Sequence, residues 1–440
     1  MKIPLELVKE QLQVNAIIKA PKYRVALGLV NFVLDTGSNK SMIGYGDLVR
    51  LNIPESALTP MYWNIFLRNL GGSMVGLFIP LFIFFIGKDS GGTIRGLQLV
   101  AIYMLMERLL VSAGVILVTR IIERIGYGLS IFLGSLMLVV YYCVPVFYGQ
   151  RMESILLMVI LVMPATLFYW ISRLTLLSID GNKREYGQEV GFIRLLENGA
   201  GILAPFVGGV IWQWWGYQVL FGIGAIIILF SSVPLFFLKQ VVVKDGVSWK
   251  GYKSWVRNSD NSHLVVSFVG TGIHDFINGF YWPIFIFLIV GSFERLGALS
   301  STTALFSTLM AFVAGRIFDN RRARGGLSDE KMYWGAGVIV AIFESVKAAF
   351  GGLLGLFTID ALIKIVGSFH NIPYDGYLFT AGKKHTPLAF YAYREMTYSL
   401  SIALMALVVI VIAGLTSFWW IVFVCAGLGV LMSLVMAKES

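Results

Sequence analysis

Ionisable and amide side chains recur inside the most apolar stretches of this sequence, where each must find a partner or face a water-filled cavity. On insertion scales, a charge at the centre of a membrane-spanning helix costs about 2.5–3.5 kcal/mol. Charged residues that are present despite this cost can carry protons or bind a charged solute. The candidates are Arg68, Asn69, Arg194, Glu197, Asn198, His274, Asp275, Asn278, Asp360, Lys364, Arg394 and Glu395.

Spacing along a helix separates charges that can neutralise one another from charges that cannot. Side chains three or four residues apart lie on one helix face, where opposite charges can pair. Three pairs have this spacing: Asp360 with Lys364, Glu344 with Lys347, and Arg194 with Glu197. Each pair can either close within its own helix or open toward a polar cavity, and spacing alone leaves both outcomes open.

Asp275 lies well inside an apolar stretch and has no partner at that spacing. Its only close ionisable neighbour in sequence is His274, which we expect to point elsewhere on the helix. Desolvation disfavours an ionised carboxylate, so Asp275 is a candidate proton carrier near neutral pH, with Glu197 as the second candidate. The alternative is a carboxylate hydrogen-bonded to Asn278 or to a basic residue such as Arg68 on another helix.

Membrane-spanning helices must position these polar residues. Of the 440 residues, 57% are hydrophobic and only 14% are charged, and the mean hydropathy is +0.77. A soluble protein could not cover its surface with this composition. A spanning helix needs roughly 20 mostly apolar residues. The sequence predicts twelve, at 62–86, 96–119, 127–148, 154–177, 190–213, 217–238, 264–290, 296–315, 332–351, 353–374, 388–414 and 416–437.

Basic residues fall mainly in alternate loops between these spans. Sixteen lie on the side of the N-terminal segment: Arg120, Arg124, Lys183, Arg184, Lys239, Lys244, Lys250, Lys253, Arg257, Arg316, Arg321, Arg322, Arg324, Lys331, Lys383 and Lys384. Four lie in the opposite loops: Lys88, Arg95, Arg151 and Arg295. Cytoplasmic loops carry the excess of basic residues, so we expect a multi-pass protein of the cytoplasmic membrane with both termini in the cytoplasm. The net charge of +10 then needs no nucleic-acid partner.

Two segments recur at a near-constant distance along the chain. Arg120 closes one apolar stretch as Arg316 closes another, 196 residues later, and Arg194 has a counterpart in Arg394, 200 residues later. Such repetition predicts an all-α protein of two six-helix pseudo-repeats, and transporters built this way place a site between the repeats. The predicted organisation is an N-terminal bundle at 61–238, a cytoplasmic linker at 239–262 and a C-terminal bundle at 263–440.

The first recurring segment, around Arg120, lies in a loop that carries a recognisable motif. Thr119-x-x-x-Glu123-Arg124-x-Gly126 resembles the signature loop of the major facilitator superfamily, Gly-x-x-x-Asp-Arg-x-Gly, with Thr and Glu in place of Gly and Asp. A second copy keeps the Gly and the Asp: Gly315, Asp319, Arg321 and Arg322. The resemblance covers residues from about 60 to 440. It implies a conformational latch, in which a carboxylate meets a helix N-terminus and nearby guanidinium groups.

A second motif, made of small residues, lies in the predicted span at 190–213. Its residues are Gly191, Ala200, Ala204, Pro205, Gly208 and Gly209, and their spacing resembles a motif of antiporters in the same superfamily, with Ala at two Gly positions. Small residues let helix backbones approach closely, and proline favours a kink. The resemblance implies a tightly packed helix and export in exchange for protons, although related sequences occur in uptake proteins.

Residues 1–60 contain no predicted span and lean toward β-structure. Within residues 23–54, Asp35-Thr36-Gly37-Ser38 resembles the catalytic motif of retropepsin-like aspartic proteases. The resemblance implies that Asp35 is catalytic and that a second chain supplies the other carboxylate of the dyad. The remainder of that fold is missing, because the first span begins soon after Pro54. A vestigial or fused fragment and a chance match are the alternatives.

These observations together predict a secondary active transporter that moves a small organic solute by alternating access, through proton-coupled efflux. No stretch matches the phosphate-binding loop of ATPases or the His-Glu-x-x-His zinc motif, so we expect no cofactor and no ATP hydrolysis by the chain itself. The expected partners are the solute, protons or another coupling ion, and the lipid bilayer, with the chain a monomer.

In this mechanism Asp275 or Glu197 exchanges a proton for the solute. Three arginines, Arg68, Arg194 and Arg394, hold an anionic group or the counter-charge. The alternatives are a solute uptake symporter, a membrane-tethered aspartic protease that uses Asp35, and a receptor or scaffold that uses its spans only for anchoring.

Overall fold

The structure, a computed structural model, describes residues 59–180, 186–238, 241, 246–322 and 328–439. Within these ranges the side chains at 180, 186–195, 198, 312, 315–322, 328–329, 383 and 438–439 are not described. By their contacts, residues Pro60–Ser440 form one compact unit. The retropepsin-like stretch with Asp35 lies outside the described residues.

Every element in the described ranges is helical. The α-helices are α1 (Thr59–Gly76), α2 (Ile79–Ile125), α3 (Tyr127–Tyr148), α4 (Met152–Asp180), α5 (Tyr186–Ser232), α6 (Trp249–Arg257), α7 (Ser262–Phe276), α8 (Trp282–Val290), α9 (Phe293–Arg322), α10 (Ser328–Val346), α11 (Gly352–Lys384), α12 (Pro387–Ile412) and α13 (Phe418–Ser433). A π-helical turn, Ile277–Tyr281, joins α7 to α8. Apolar stretches take this form because a helix satisfies its own backbone polar groups where water is absent.

Within the described residues, nine helical segments are long and apolar enough to cross a membrane. They are Thr59–Ile125, Tyr127–Tyr148, Met152–Ile179, Gly199–Phe237, Ser259–Val290, Glu330–Ala349, Gly352–Gly382, Pro387–Ile412 and Phe418–Ala437. The all-helical fold that the composition predicted is confirmed for this part of the chain, which is a multi-pass membrane protein.

Two of the nine segments are interrupted by glycines. Thr59–Ile125 contains non-helical backbone at Gly91 and Gly92, and Gly199–Phe237 contains it at Gly216. The φ angles of +82° at Gly92 and +85° at Gly216 lie in the left-handed region that favours glycine. Each interruption falls between two predicted spans.

An aromatic cluster joins the first part of the bundle to the second. It consists of Phe78, Phe85, Trp212, Phe287 and Phe293. The rings of Trp212 and Phe293 stack with centroids 4.6 Å apart, and Phe85 meets Phe287 edge-on at 5.5 Å. Aromatic pairs of this geometry stabilise packing beyond the area they bury. The cluster therefore holds α2 and α5 against α8 and α9.

Helix α5 approaches its neighbours most closely beside this cluster. A methyl group at Gly208 would lie 2.3 Å from the carbonyl oxygen of Met74, and one at Gly209 would lie 2.4 Å from that of Phe293. The other residues of the small-residue motif, Gly191, Ala200, Ala204 and Pro205, also lie in α5. Small residues permit this kind of backbone approach, so the packing of α5 depends on having no side chain at Gly208 and Gly209.

A second set of contacts joins α4 and α6 to α7 and α12. The hydroxyl groups of Ser178 and Tyr391 lie 2.8 Å apart. The ring of Trp255, in α6, stacks on that of Phe268 with centroids 6.3 Å apart. These residues are not part of the aromatic cluster, so the two parts of the bundle are in contact at more than one place.

Candidate functional site

A polar cavity of about 490 Å³ lies among the helices α7 to α13. Six residues singled out from the sequence line it: His274, Asp275, Asn278, Asp360, Lys364 and Arg394. Leu77, between α1 and α2, is the lining residue that comes from before residue 246. The residues of the cavity wall therefore come mainly from one half of the described chain.

The Asp360 carboxylate lies on the cavity wall and has three donor groups around it. Its carboxylate lies 2.8 Å from the Lys364 ammonium and accepts hydrogen bonds from Thr303 at 2.5 Å and from the indole N–H of Trp282 at 2.9 Å. The pair predicted from the four-residue spacing is formed. Because three donors surround the Asp360 carboxylate, its charge is balanced within the protein.

Glu344 and Lys347 form the second predicted pair and are almost completely buried. Their charged atoms lie 2.5 Å apart, and each side chain is 1% exposed. The Lys347 ammonium also donates to the side-chain oxygen of Asn278 at 2.5 Å and lies 4.4 Å from the centre of the Trp282 ring. A buried ion pair needs such additional partners, because both ions have lost their water.

His274 connects this buried pair to Asp275. Its imidazole lies 3.4 Å from Glu344 and 3.2 Å from the Asp275 carboxylate. The expectation that His274 points away from Asp275 is therefore wrong, because the imidazole nitrogen nearest the helix reaches back to the adjacent side chain. The three groups form a continuous carboxylate–imidazole–carboxylate series that can pass a proton between neighbours.

The Asp275 side chain is also more exposed than predicted. Its side chain is 46% exposed, so it is not strongly desolvated. The predicted alternative partners are wrong as well, since Asn278 donates to the backbone oxygen of His274 and Arg68 lies elsewhere. The second partner of Asp275 is the hydroxyl group of Tyr398, which donates to it at 3.1 Å. Sequence spacing could not find this residue because it belongs to α12.

Arg394 lines the same cavity with few partners. In the part of the chain that the structure describes, its Nε–H donates to no acceptor. The nearest carboxylate oxygen, from Glu395, is 3.8 Å away. The guanidinium group lies 5.5 Å from the centre of the Tyr398 ring and 5.9 Å from that of Phe268. Aromatic faces stabilise a cation without neutralising it, so Arg394 keeps its capacity to bind an anion.

Glu395 itself is not among the lining residues and faces α2 instead. It lies 3.8 Å from Arg108, which is paired with Glu107 at 2.9 Å. Sequence reasoning missed Glu107 and Arg108, although they lie in the middle of the predicted span at 96–119. The rule that an intramembrane charge needs a partner would have found them.

Arg68 and Asn69 do not line this cavity. The Arg68 guanidinium is buried 3.6 Å from the centre of the Tyr169 ring and donates to Ser135 at 3.2 Å. The Asn69 side chain donates to Ile65 in its own helix at 2.9 Å. The prediction that these residues belong to the same site as Asp275 is wrong for the arrangement described here.

Glu197 has a partner that the spacing rule did not predict, and its predicted pair with Arg194 stays a prediction. It pairs with Arg173 in α4, which the spacing rule could not detect because Arg173 lies in another helix. Arg194, the expected partner, and Asn198 belong to the residues whose side chains are not described. Glu197 therefore stands apart from the cavity and in contact with a buried arginine.

The first copy of the predicted latch contacts the loop before α6. The Glu123 carboxylate accepts a hydrogen bond from the backbone N–H of Gly246 at 3.0 Å. Thr119 is buried and donates to Ile116 in its own helix, and Arg124 is exposed. Gly126 joins α2 to α3 with a φ of +86°. The second copy, Gly315, Asp319, Arg321 and Arg322, falls among the side chains that are not described.

These features define a multi-pass, all-helical membrane protein with a charged cavity inside its helices. The described residues contain no group of three His, Cys, Asp or Glu side chains arranged to hold a metal ion. Comparison of the sequence with protein-family models and with curated proteins gave no match. The chemistry open to the cavity is reversible proton binding together with binding of a charged organic solute.

Proposed function

We propose that this chain is a secondary active transporter of the major facilitator type, which moves a small organic solute by alternating access and exchanges it for protons. The observation that carries the proposal is the cavity of about 490 Å³, in which an open carboxylate, Asp275, adjoins His274. A cavity with a few convergent polar groups is the usual form of a small-molecule site. Ionisable residues inside membrane helices commonly serve ion and substrate pathways.

The placement of charges supports proton coupling at Asp275 in preference to Glu197. Glu197 is paired with Arg173, whereas Asp275 combines an exposed carboxylate with an adjacent imidazole. A proton bound at Asp275 can be relayed through His274 toward Glu344. In the proposed cycle, the loss of this proton exposes a negative charge to the solute, and Arg394 supplies a positive charge on the same cavity.

The twelve-helix arrangement that this proposal needs is supported by the chain breaks. Dividing the interrupted segments at Gly91–Gly92 and at Gly216 turns nine segments into eleven, and helix α9 makes the twelfth. Alternating access then requires two contact sets to open in turn. One is the aromatic cluster around Trp212 and Phe293, and the other includes Ser178 and Tyr391.

The proposal is tested with the full chain in liposomes that enclose a pH-sensitive dye. Amino acids, amines, organic acids and sugars are added singly across an imposed pH gradient, and both dye signal and solute content are recorded. We expect at least one solute to move with an opposite proton flux. Asp275→Asn should abolish the solute-driven proton movement, because an amide cannot exchange a proton in this range.

Asp89→Asn is the matched control, because Asp89 is an exposed carboxylate outside the cavity lining. Parent-like proton movement in Asp275→Asn would remove that residue from the coupling role. Solute flux that ignores the pH gradient would contradict proton coupling, and proton flux in the same direction as the solute would indicate uptake. No flux of any solute, together with peptide cleavage abolished by Asp35→Ala, would favour the protease alternative.

A further inference from the structure

The charges on the cavity wall fall into two groups. Some are paired with a counter-charge of the protein, and others, which we call open charges, have no counter-charge within hydrogen-bond distance on a neighbouring Lys, Arg, Asp or Glu of the described residues. Lys364 and Asp360 are 2.8 Å apart, and Glu344 is paired with Lys347 at 2.5 Å. Each of these charges is satisfied by a counter-charge on its own helix or just beyond it. Neither pair therefore provides a site for a charged group on a solute unless the pair breaks.

Asp275 and Arg394 are the open charges of opposite sign. Asp275 is 46% exposed, and its partners are a neutral hydroxyl group and an imidazole. Arg394 is 3.8 Å from Glu395, which offsets part of its charge but is too distant to accept a hydrogen bond. A guanidinium group in this condition binds a carboxylate or phosphate group well, because it presents several donors in a fixed plane.

We propose that the solute of this cavity is zwitterionic, with an amine that binds Asp275 and an acidic group that binds Arg394. The inference rests on the proposed function and names the chemical class of the transported solute. A solute with one charge would bind either Asp275 or Arg394 and leave the other with its protein partners alone, His274 or Glu395.

Tyr398 lies close to both open charges. Its hydroxyl group contacts Asp275 at 3.1 Å, while the centre of its ring lies 5.5 Å from the Arg394 guanidinium carbon. The two open charges thus lie on different parts of one tyrosine side chain. Both charges therefore lie within reach of one small solute that carries an amine and an acidic group.

The test compares the binding of ligands of increasing length to the purified full chain. Thermal unfolding is measured with ω-amino acids of increasing length, from glycine through 4-aminobutanoate and 6-aminohexanoate to 8-aminooctanoate. The alkylamine and the alkanoate of each chain length are the matched singly charged probes. We expect the stabilisation to be greatest at one chain length of the series, with apparent affinity at least about tenfold higher than for either singly charged probe, which corresponds to about 1.4 kcal/mol.

Two substitutions assign the ends of the solute. Asp275→Asn should remove the advantage of the ω-amino acid over the matched alkanoate. Arg394→Gln should remove its advantage over the matched alkylamine, and Asp89→Asn should change neither. Loss of the same advantage in both variants would mean that the two residues do not bind separate ends.

The ligand series on the parent protein decides the inference even if a variant does not fold. Equal binding of an alkylamine or alkanoate and the matched ω-amino acid, or no binding of the whole series, overturns it. Length-dependent binding without flux in liposomes would leave the zwitterionic site standing and remove the transporter proposal. Flux of singly charged solutes alone would do the reverse.

Discussion

In residues 59–238 the buried guanidinium of Arg68 lies 3.6 Å from the centre of the Tyr169 ring, with Ser135 as its hydrogen-bond partner. In residues 246–439 the buried ammonium of Lys347 lies 2.5 Å from the Glu344 carboxylate. The first half thus holds one of its buried cations against an aromatic face, where the positive charge persists. The second half neutralises its buried cation with a carboxylate.

The ion pairs on the wall of the polar cavity belong to the second half, whereas those of the first half, Glu107–Arg108 and Glu197–Arg173, lie outside it. Ion pairs such as Glu344–Lys347 and Asp360–Lys364 let several charges stand close together around one space without mutual repulsion. In the first half the Tyr169 ring lies beside two cations, Arg68 and Arg173, and Glu197 is paired with Arg173 away from the cavity. The first half contributes one apolar residue, Leu77, to the cavity lining, so the charged lining comes from the second half.

Removal of Lys347 should have the largest effect. Lys347→Met leaves the Glu344 carboxylate buried without its main counter-charge, and breaking a buried pair in this way costs about 3–5 kcal/mol. The free energy of unfolding is measured by titration of the purified chain with a denaturing detergent in mixed micelles.

The matched control is Glu344→Gln combined with Lys347→Met. Replacing both charges removes the uncompensated carboxylate, so we expect the double variant to recover much of the stability lost by Lys347→Met alone. If the single and double variants were equally unstable, the uncompensated Glu344 carboxylate would not be the cause of the loss, and the importance of the 2.5 Å contact would be contradicted.

Periodicity and composition predicted the helices well but not how side chains meet between them. The Asp360–Lys364 and Glu344–Lys347 pairs were predictable because both members lie on one helix face. The contact of Glu197 with Arg173 joins two helices, and nothing in one sequence gives their relative rotation. Sequence patterns therefore find intrahelical pairs and miss interhelical ones.

The same limit applied to Asp275. Its position in an apolar stretch marked it as a candidate, but burial was inferred from hydropathy alone, which cannot distinguish a lipid-facing position from a cavity-facing one. The hydroxyl group of Tyr398 and the open cavity became apparent only once α7 and α12 were placed together. Hydropathy thus located the candidate residue, and tertiary packing determined its surroundings.

A methyl group between the halves should have the next largest effect. Gly209→Ala places a carbon 2.4 Å from the Phe293 carbonyl oxygen, so α5 and α9 must move apart at a cost of about 1–3 kcal/mol. Gly222→Ala, also in α5, meets no atom within 4 Å and is the matched control. Thermal unfolding of both variants in detergent measures the difference, and an equal effect would show that the halves do not depend on this close approach.

The smallest effect should come from the aromatic support of Arg68. A double-mutant cycle of Arg68→Met and Tyr169→Leu cancels the packing that each change loses alone. We expect a coupling energy of about 1–2 kcal/mol, as for a desolvated cation on an aromatic face. Tyr169→Phe should retain most of this coupling energy, since the Tyr169 hydroxyl has no hydrogen-bond partner in the described residues.

A coupling energy as large as that of Glu344 with Lys347 would mean that an aromatic face stabilises a buried cation as strongly as a carboxylate does. The unequal distribution of charge between the halves would then need a functional cause, since stability would not explain it.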